Sequence, residues 1–319
     1  MEEVTDFAFR EMFARYSKTE ARDKRQEASL NPFVMFTEFI NVDGLLHPEG
    51  RKKLEIDLKY SPAQRPIVAQ IWGNNPEKFR RAAALVADLG FDGVDINMGC
   101  PQQKEIGIGA CAALIRNPSL AKEIIFATKE GAKHLPVSVK TRLGYSKLDE
   151  MENWVTALLG TDIAALTLHA RTKQEMSKVP AHWDKIKEAV EIRDKIQATR
   201  DKFDRTLIIG NGDVKSRTEG LARIKETGCD GVMIARGAFG NPWLFSEEEP
   251  ALKTKLRVML EHAELFNKTL GAHKPFVIMR KHFKAYAGGF PGCHELRAKL
   301  MESKNLAEAR QIVQDFFNP

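Results

Sequence analysis

The sequence predicts a parallel α/β barrel of the (β/α)8, or TIM-barrel, class, followed by a domain made only of helices. Short runs rich in β-branched residues alternate with amphipathic segments as far as Pro242, and this alternation implies a parallel sheet. Beyond Pro242 the strand pattern stops. A chain of 319 residues suffices for one barrel of roughly 250 residues and a smaller appendage. An open doubly wound sheet is the structural alternative.

Seven segments have the composition and alternation of strands. They span 33–40, 67–71, 93–97, 137–141, 165–169, 206–210 and 231–235. Helical patterns lie between them, at 76–89, 118–133, 182–200 and 216–227. Several of these patterns begin with Pro or Ser, which helix starts prefer.

Seven strands are one short of a closed barrel, and the chain begins with a helical pattern over residues 5–13. We therefore expect a first strand that is missing or reduced to Met1 and Glu2, and a natural chain that starts upstream of Met1. The far end, from Glu247 to Phe317, has the pattern of three or four helices. Their breaks fall at Gly271, at 288–292 and near Ser303. The predicted domains are a barrel over 1–242 and a helical domain over 243–319.

The composition is that of a water-soluble globular protein, with 43% hydrophobic and 29% charged residues. The N-terminus has no basic stretch followed by an apolar one, and no run of about 18 apolar residues occurs, which argues against export and against a membrane span. The four cysteines form no CxxC pair, which argues against a metal site or a disulfide framework and favours a cytoplasmic protein. Nothing in the sequence fixes the oligomeric state, and a monomer is the working expectation.

The net charge of +6 permits a polyanionic partner without requiring one. The positive charge is concentrated near the C-terminus, because residues 268–299 hold seven Lys or Arg against one acid, Glu295. Taken alone, such a cluster is also typical of an ordinary solvated surface.

Functional groups of a parallel barrel lie where the strands end. The predicted strand ends carry Gln70, Asn97 with Cys100, Lys140 with Arg142, His169 with Arg171, Asn211 with Gly212, and Arg236 with Gly237. A Lys and a His at the ends of apolar strands are costly to bury without a partner. Lys140 would stabilise the anion of a reduced flavin, or else form an ion pair. His169 would donate to the same ring, or else be a satisfied core histidine.

The last two strand ends, 210–213 and 235–237, are rich in glycine. Loops after the seventh and eighth strands of a barrel frequently bind phosphate, since glycine lets backbone N–H groups approach the anion. Together these two segments predict a phosphate-bearing cofactor or substrate.

The most informative motif is Asn97-Met98-Gly99-Cys100-Pro101, followed by a glycine-rich stretch over 107–114. A Cys between Gly and Pro on a strand-end loop is expected to be exposed. With a reference pKa of about 8.5, it is mostly protonated at neutral pH and can donate a proton. Cys229, which precedes a strand, is expected to be a small core residue.

These residues resemble the tRNA-dihydrouridine synthase family over nearly the whole chain. The Cys100 motif matches that family's signature. Supporting matches are Val68-Ala69-Gln70, Val139-Lys140-Thr141-Arg142, Leu168-His169-Ala170-Arg171-Thr172, Gly210-Asn211-Gly212-Asp213 and Ile234-Ala235-Arg236-Gly237. The resemblance implies an FMN-containing barrel, a helical domain that helps to hold tRNA, and NADPH (or NADH) as reductant.

The resemblance also implies roles for individual residues. Cys100 would protonate C5 of a uracil that receives hydride at C6, while Asn97 and Arg171 would hold the uracil or its phosphate. The expected FMN contacts are Met1, Gln70, Lys140, His169, Asn211, Gly212, Ala235 and Arg236. The expected tRNA contacts are Lys274, Arg280, Lys281, Lys284 and Arg297, whose basic surface would grip phosphates while the base leaves its stack.

Two features depart from the family pattern. The usual first strand with Ala-Pro before Met1 is absent, and Cys111 is a thiol where a small residue is expected. Two alternative functions stay open. One is a flavin barrel that acts on a free pyrimidine and resembles dihydroorotate dehydrogenases, and the other is an RNA-binding barrel without catalysis.

Overall fold

The protein, here as a computed structural model, is described over residues 1, 4–17, 33–201, 204–245 and 249–318. Seven strands form one sheet in the order β1 to β7. They are β1 (Met35–Asn41), β2 (Ile67–Trp72), β3 (Gly93–Asn97), β4 (Val137–Arg142), β5 (Ala165–His169), β6 (Leu207–Asn211) and β7 (Gly231–Met233). All seven predicted strands are confirmed, with ends that shift by at most two residues.

The strands from β2 to β7 pair in parallel with their sequence neighbours. A doubly wound sheet would reverse its strand order at a switch point, whereas this order never reverses, so the fold is of the barrel type. In the described part of the chain no pairing joins β7 to β1. The register aligns the strand ends, since Asn97 is opposite Lys140, and His169 lies between Arg142 and Asn211. Side chains at the strand ends therefore meet along one edge.

Helices alternate with these strands. After α1 (Phe7–Tyr16) come α2 (Val42–Leu46), α3 (Pro48–Leu54), α4 (Pro76–Asp88), α5 (Gln103–Gly107), α6 (Pro118–Ala132), α7 (Met151–Leu159), α8 (Trp183–Ile196) and α9 (Arg217–Thr227). A 3-10 turn, Cys111–Arg116, links α5 and α6. The helix predicted to run to Arg200 ends at Ile196.

The helices α4 and α6 illustrate why the sequence folds this way. Each begins with Pro at its first position, and the preceding Asn accepts a hydrogen bond from a backbone N–H of the first turn, which satisfies a donor that the helix leaves unpaired. Gly131 lets the two backbones touch, because a Cβ there would lie 1.9 Å from the carbonyl oxygen of Arg80. The two helices are thus held at backbone contact distance.

The C-terminal region consists of α10 (Leu252–Leu270), α11 (Met279–Tyr286), α12 (Cys293–Glu302) and α13 (Leu306–Phe317). The prediction of three or four helices is therefore confirmed, with breaks where Gly271, the glycines after Tyr286 and Ser303 indicated them. Their core includes Leu256, Met259, Phe266 and Phe283.

The chain divides into two compact units that differ from the predicted division at residue 242. A helical unit comprises Met1–Glu38, Ile56–Arg65 and Arg236–Pro319, and a barrel unit comprises Phe39–Glu55 and Pro66–Ala235. The N-terminal segment joins the helical unit because α1 places Phe7, Ala8 and Met12 in the same buried cluster as Phe266. Among the described residues, no helix combines the length and hydropathy that a membrane crossing requires.

Candidate functional site

A hydrogen-bond chain connects the ends of three neighbouring strands. The Gln70 amide donates to Oδ2 of Asp95 at 2.7 Å, Ser138 donates to Oδ1 of Asp95 at 2.6 Å, and Asn97 Nδ2 donates to Oε1 of Gln70 at 3.0 Å. Burial raises the pKa of Asp95 to about 6, while hydrogen bonds from Ser138 and Gln70 and the charge of Lys140 oppose this rise. The network fixes the orientation of both amide side chains.

Asn97 also shapes the turn that presents Cys100. Its Oδ1 accepts hydrogen bonds from the backbone N–H groups of Gly99 and Cys100, both at 3.0 Å. The turn packs directly on β4, because a Cβ at Gly99 would lie 3.2 Å from the backbone of Thr141. Arg142 then donates from Nε to the Gly99 carbonyl at 2.8 Å. The position of Cys100 therefore follows from local hydrogen bonds rather than from the strand itself.

The expectation that Cys100 is exposed is wrong. The residue is 9% exposed and belongs to a small buried cluster with Trp72, Ala110 and Cys111, against which Phe39 packs. The 3-10 turn after α5 covers it, since the backbone N–H of Ala112 donates to the Cys100 carbonyl. Cys229 is 2% exposed, as expected for a core residue.

Cys111 is a buried second thiol beside Cys100. Its backbone adopts φ +54°, a left-handed conformation that is uncommon for residues other than glycine. A hydrogen bond with Cys100, together with burial, raises the pKa of Cys111. Cys111 consequently stays a neutral thiol at physiological pH.

Lys140 lies next to this turn at the end of β4. Its pKa is lowered to about 8, chiefly by burial and also by the charge of Arg142, while Asp95 and Cys100 act in the opposite direction. Within the described ranges, its ammonium has no hydrogen-bond or ion-pair partner. A half-buried cation without such a partner is costly, so Lys140 favours an electron-rich or anionic ligand at this edge.

His169 and Arg171 form a second group at the end of β5. Arg171 is buried, and its guanidinium donates to the Val179 carbonyl at 2.6 Å, to His169 Nε2 at 3.2 Å and to the Asp213 carboxylate. Because a guanidinium only donates, Nε2 of His169 is the acceptor and the ring proton is on Nδ1. Arg171 therefore orients His169, and its role toward the substrate stays a prediction.

In the loop after β6, Gly212 adopts a backbone conformation that favours glycine. Gly212 has φ +134°, and a Cβ there would lie 3.0 Å from Ala181 and 3.3 Å from the His169 ring. Asn211 donates to the Met233 carbonyl at 2.7 Å, which ties β6 to β7. Ala235 ends the barrel unit.

Two predicted cofactor contacts belong to the helical unit. The terminal amine of Met1 donates to Thr5 Oγ1 at 2.8 Å, and Arg236 begins a short 3-10 turn. Their grouping with the strand-end residues stays a prediction.

The predicted tRNA contacts in the helical unit differ in their environments. Lys274 forms ion pairs with Glu38 at 2.9 Å and Asp57 at 2.7 Å, so its charge is balanced by two acids, and its contact with tRNA stays a prediction. Arg280 donates to the carbonyls of Glu302 and Ser303, and Arg297 donates to that of Ala287. These two guanidinium groups brace helix ends, whereas Lys281 is half-buried and Lys284 is exposed.

The site contains residues that the sequence patterns did not single out. Asp95 holds Gln70, and Asp213 holds Arg171. Arg142, noted only as a strand-end residue, joins the Gly99 carbonyl to that of Thr172. Asp95 could have been found from the sequence, because it lies two positions before the motif residue Asn97. Asp213, the partner of Arg171, could not, because its position depends on loop conformation.

Replacing Asn97 with Ala should destabilise the protein by about 2 to 4 kcal/mol, because two backbone N–H groups and the Gln70 carbonyl lose their partner. Thermal unfolding would measure the loss. The matched control is Asn75→Ala, which removes one exposed helix cap and should cost about 1 kcal/mol. Equal losses in the two variants would show that the Asn97 turn is not structurally important.

The fold and site define an α/β-barrel enzyme, with a thiol, a lysine and a histidine at successive strand ends. The family model "Dihydrouridine synthase (Dus)" matches residues 1–318, so the chain belongs to the dihydrouridine synthase family and is an oxidoreductase. The resemblance predicted from the Cys100 motif is thereby confirmed. Family membership implies a flavin cofactor.

Similar proteins agree in length as well as in sequence. A probable tRNA-dihydrouridine synthase of Staphylococcus aureus (strain MRSA252) is 41% identical over 99% of this chain and 91% of that protein. The probable tRNA-dihydrouridine synthase 2 of Bacillus subtilis (strain 168) is 40% identical over 99% and 92%.

Two solved structures show distant similarity. Histamine dehydrogenase from Rhizobium sp. 4-9 has a TM-score of 0.49 and 14% identity, covering 74% of this chain and 42% of that one. The old yellow enzyme homologue from Zymomonas mobilis has a TM-score of 0.45 and 14% identity, covering 76% and 82%.

Proposed function

We propose that this chain reduces the C5–C6 bond of uridines in tRNA, with FMN as the flavin and NADPH as the reductant. The observation that carries the proposal is that, in a member of the dihydrouridine synthase family, Cys100 and Lys140 lie at adjacent strand ends, and Lys140 has no ion-pair partner among the described residues. One group supplies a proton, and the other supplies a fixed positive charge beside it.

The donor set at the strand ends fits a flavin. Gln70 and Lys140 are hydrogen-bond donors at neighbouring positions, and an isoalloxazine ring has acceptor nitrogens and carbonyls that need such donors. His169 would contribute its Nδ1 proton, and Asn211, Gly212, Ala235 and Arg236 would hold the phosphate, with Met1 completing the set. A flavin acceptor would relieve the cost of the half-buried Lys140 ammonium.

A flavin bound here supplies the hydride that adds to C6 of the uracil. Cys100 then gives its thiol proton to C5, which completes the reduction and leaves a thiolate. The charges of Lys140 and Arg142 both favour that thiolate, because each has a favourable electrostatic interaction with Cys100. The thiol regains its proton from solvent before the next turnover.

The substrate must present a base that has left its stack, since a base inside a duplex cannot enter a strand-end pocket. Cys100 is largely shielded from solvent by the turn that covers it, which suits a thiol that gives its proton to a bound base. Asn97 and Arg171 would act on this pocket through the Cys100 turn and His169. Lys281, Lys284, Arg280 and Arg297 would line a basic surface for tRNA phosphates.

Turnover on tRNA distinguishes this proposal from both alternatives. Purified holoenzyme with NADPH should form dihydrouridine in unmodified tRNA and should leave free uracil and dihydroorotate unchanged. Mass spectrometry of digested tRNA measures the product as a gain of two hydrogens per modified uridine. Turnover of free pyrimidine with unmodified tRNA would support the dihydroorotate-type enzyme, and a protein that binds tRNA without retaining a flavin would support the RNA-binding barrel.

A further inference from the structure

Two cations meet one aromatic ring on the loops that follow β3, β4 and β5. The guanidinium carbon of Arg116 lies 4.1 Å from the ring centroid of Tyr145, and the ammonium nitrogen of Lys173 lies 5.0 Å from it. We call Arg116, Tyr145 and Lys173 the Tyr145 platform. No residue of the platform has a part in the mechanism above.

The positive charge of the platform is not neutralised. In the part of the chain that the structure describes, neither Arg116 nor Lys173 forms an ion pair. Other cations of the barrel unit do have carboxylate partners, such as Lys133 with Asp88 at 2.8 Å and Lys185 with Glu188 at 2.7 Å. Both cations lie against one ring, and a bound anion would supply the opposite charge that neither has among the described residues.

The acids of the same loops make contacts other than with the platform cations. Glu150 accepts from the N–H groups of Tyr145 and Lys147, at 2.6 and 3.1 Å. Glu175 accepts from the Thr172 N–H at 2.7 Å and contacts His182. Arg116 and Lys173 are therefore available to an anionic ligand.

The platform is connected to the Cys100 turn by two routes. Arg116 ends the 3-10 turn whose Ala112 N–H donates to the Cys100 carbonyl at 3.3 Å. Arg142 donates both to the Gly99 carbonyl and to that of Thr172, next to Lys173. The backbone N–H of Lys173 in turn donates to the Gly144 carbonyl at 2.9 Å, which joins the second and third loops. The loops that carry the platform are thus hydrogen-bonded to the turn that holds Cys100.

We propose that the Tyr145 platform binds the phosphodiester backbone of the tRNA nucleotides next to the reduced uridine. The proposal rests on the proposed function and names the part of the substrate that this edge recognises. The Arg116 guanidinium can donate two hydrogen bonds to one phosphate group, and the Lys173 ammonium can bind a phosphate as a compact positive charge.

The test compares Arg116→Gln/Lys173→Gln with wild type and with Lys122→Gln, a matched control that alters an exposed lysine on α6. The holoenzyme is titrated with unmodified tRNA at several salt concentrations. We expect tRNA affinity to fall about tenfold in the double variant, and the slope of log affinity against log salt to decrease by about 1 to 2. Tyr145→Leu, which keeps both charges but removes their ring, should give a smaller loss.

A second measurement separates tRNA phosphate from the phosphates of NADPH. The rate of NADPH-dependent flavin reduction without tRNA should be the same in wild type and the double variant. A rise in the KM for NADPH with unchanged tRNA affinity would overturn the proposal in favour of a reductant-binding site. An equal loss of tRNA affinity in Lys122→Gln would overturn it in favour of unspecific charge.

Failure of the inference is distinguishable from failure of the proposed function. If wild-type holoenzyme forms no dihydrouridine in tRNA, the function itself is wrong. If wild type is active and the double variant binds and reduces tRNA equally well, only the platform assignment fails.

Discussion

Cys100→Ala is expected to abolish uridine reduction while flavin content and NADPH oxidation stay at wild-type levels. Loss of a positioned general acid lowers a rate by about 10² to 10⁴, and Cys100 is held for that role by Asn97 and Arg142. Dihydrouridine formed per enzyme would be measured in a single turnover with pre-reduced holoenzyme, so that only the step on the uracil contributes.

The control for this result is Cys229→Ala. Cys229 is a buried thiol of the same unit whose Sγ donates to the Gly231 carbonyl, and its loss should leave turnover unchanged. Cys111→Ala decides between the neighbouring thiols. Full activity in Cys100→Ala together with a large loss in Cys111→Ala would mean that the proton has been assigned to the wrong sulfur.

The helical unit is expected to lose stability steeply below pH 6.5 because of two buried histidines. The rings of His262 on α10 and His282 on α11 lie 4.7 Å apart, near Phe9 and Phe239. None of their four ring nitrogens has a hydrogen-bond partner among the described residues. Burial lowers the pKa of His262 to about 3. Burial also lowers the pKa of His282, and the charges of His262 and Lys281 lower it further.

The sign of the effect follows from where protons bind first. As the pH falls below 6.5, both histidines become protonated in the unfolded chain but stay neutral in the folded unit. The free energy of unfolding of the helical unit therefore decreases with acidification. At pH 4.5 this amounts to roughly 2 to 3 kcal/mol for His262, a large part of a typical domain stability of about 5 to 15 kcal/mol, and His282 adds to the loss in the same direction. Asp6 opposes the trend, because burial raises its pKa to about 6 and its folded form gains a proton first.

Denaturant unfolding between pH 4.5 and 7 would measure this loss. The double variant His262→Phe/His282→Leu should show a much flatter dependence of stability on pH than wild type. The control His294→Leu, which changes an exposed histidine of the same unit, should keep the wild-type dependence. A double variant as acid-sensitive as wild type would show that other groups dominate.

The sequence predicted the sheet well because buried parallel strands leave a strong local signal. Each of the seven β-branched runs became a strand, and the break residues of the C-terminal helices were correct. The division between units was harder to predict. The apolar face of α1 is visible in the sequence, but its partner, Phe266, is distant along the chain.

The site was predictable in part. Strand-end positions identified Gln70, Asn97, Lys140 and His169, because strand ends in a parallel sheet share one edge. Burial of Cys100 was not predictable, since it depends on a 3-10 turn that folds back over the motif. The pairing of Lys274 with Glu38 and Asp57 was equally hidden, because those acids lie more than 200 positions away along the chain.

The backbone contact at Gly131 has a consequence for the loop that carries the thiol. That loop leaves β3 after Asn97 and enters α6 at Pro118, and α6 cannot move away from α4 without opening the contact with Arg80. The helix that receives the loop is therefore held in place by folding itself, so part of the loop's conformational entropy is lost on folding rather than on ligand binding.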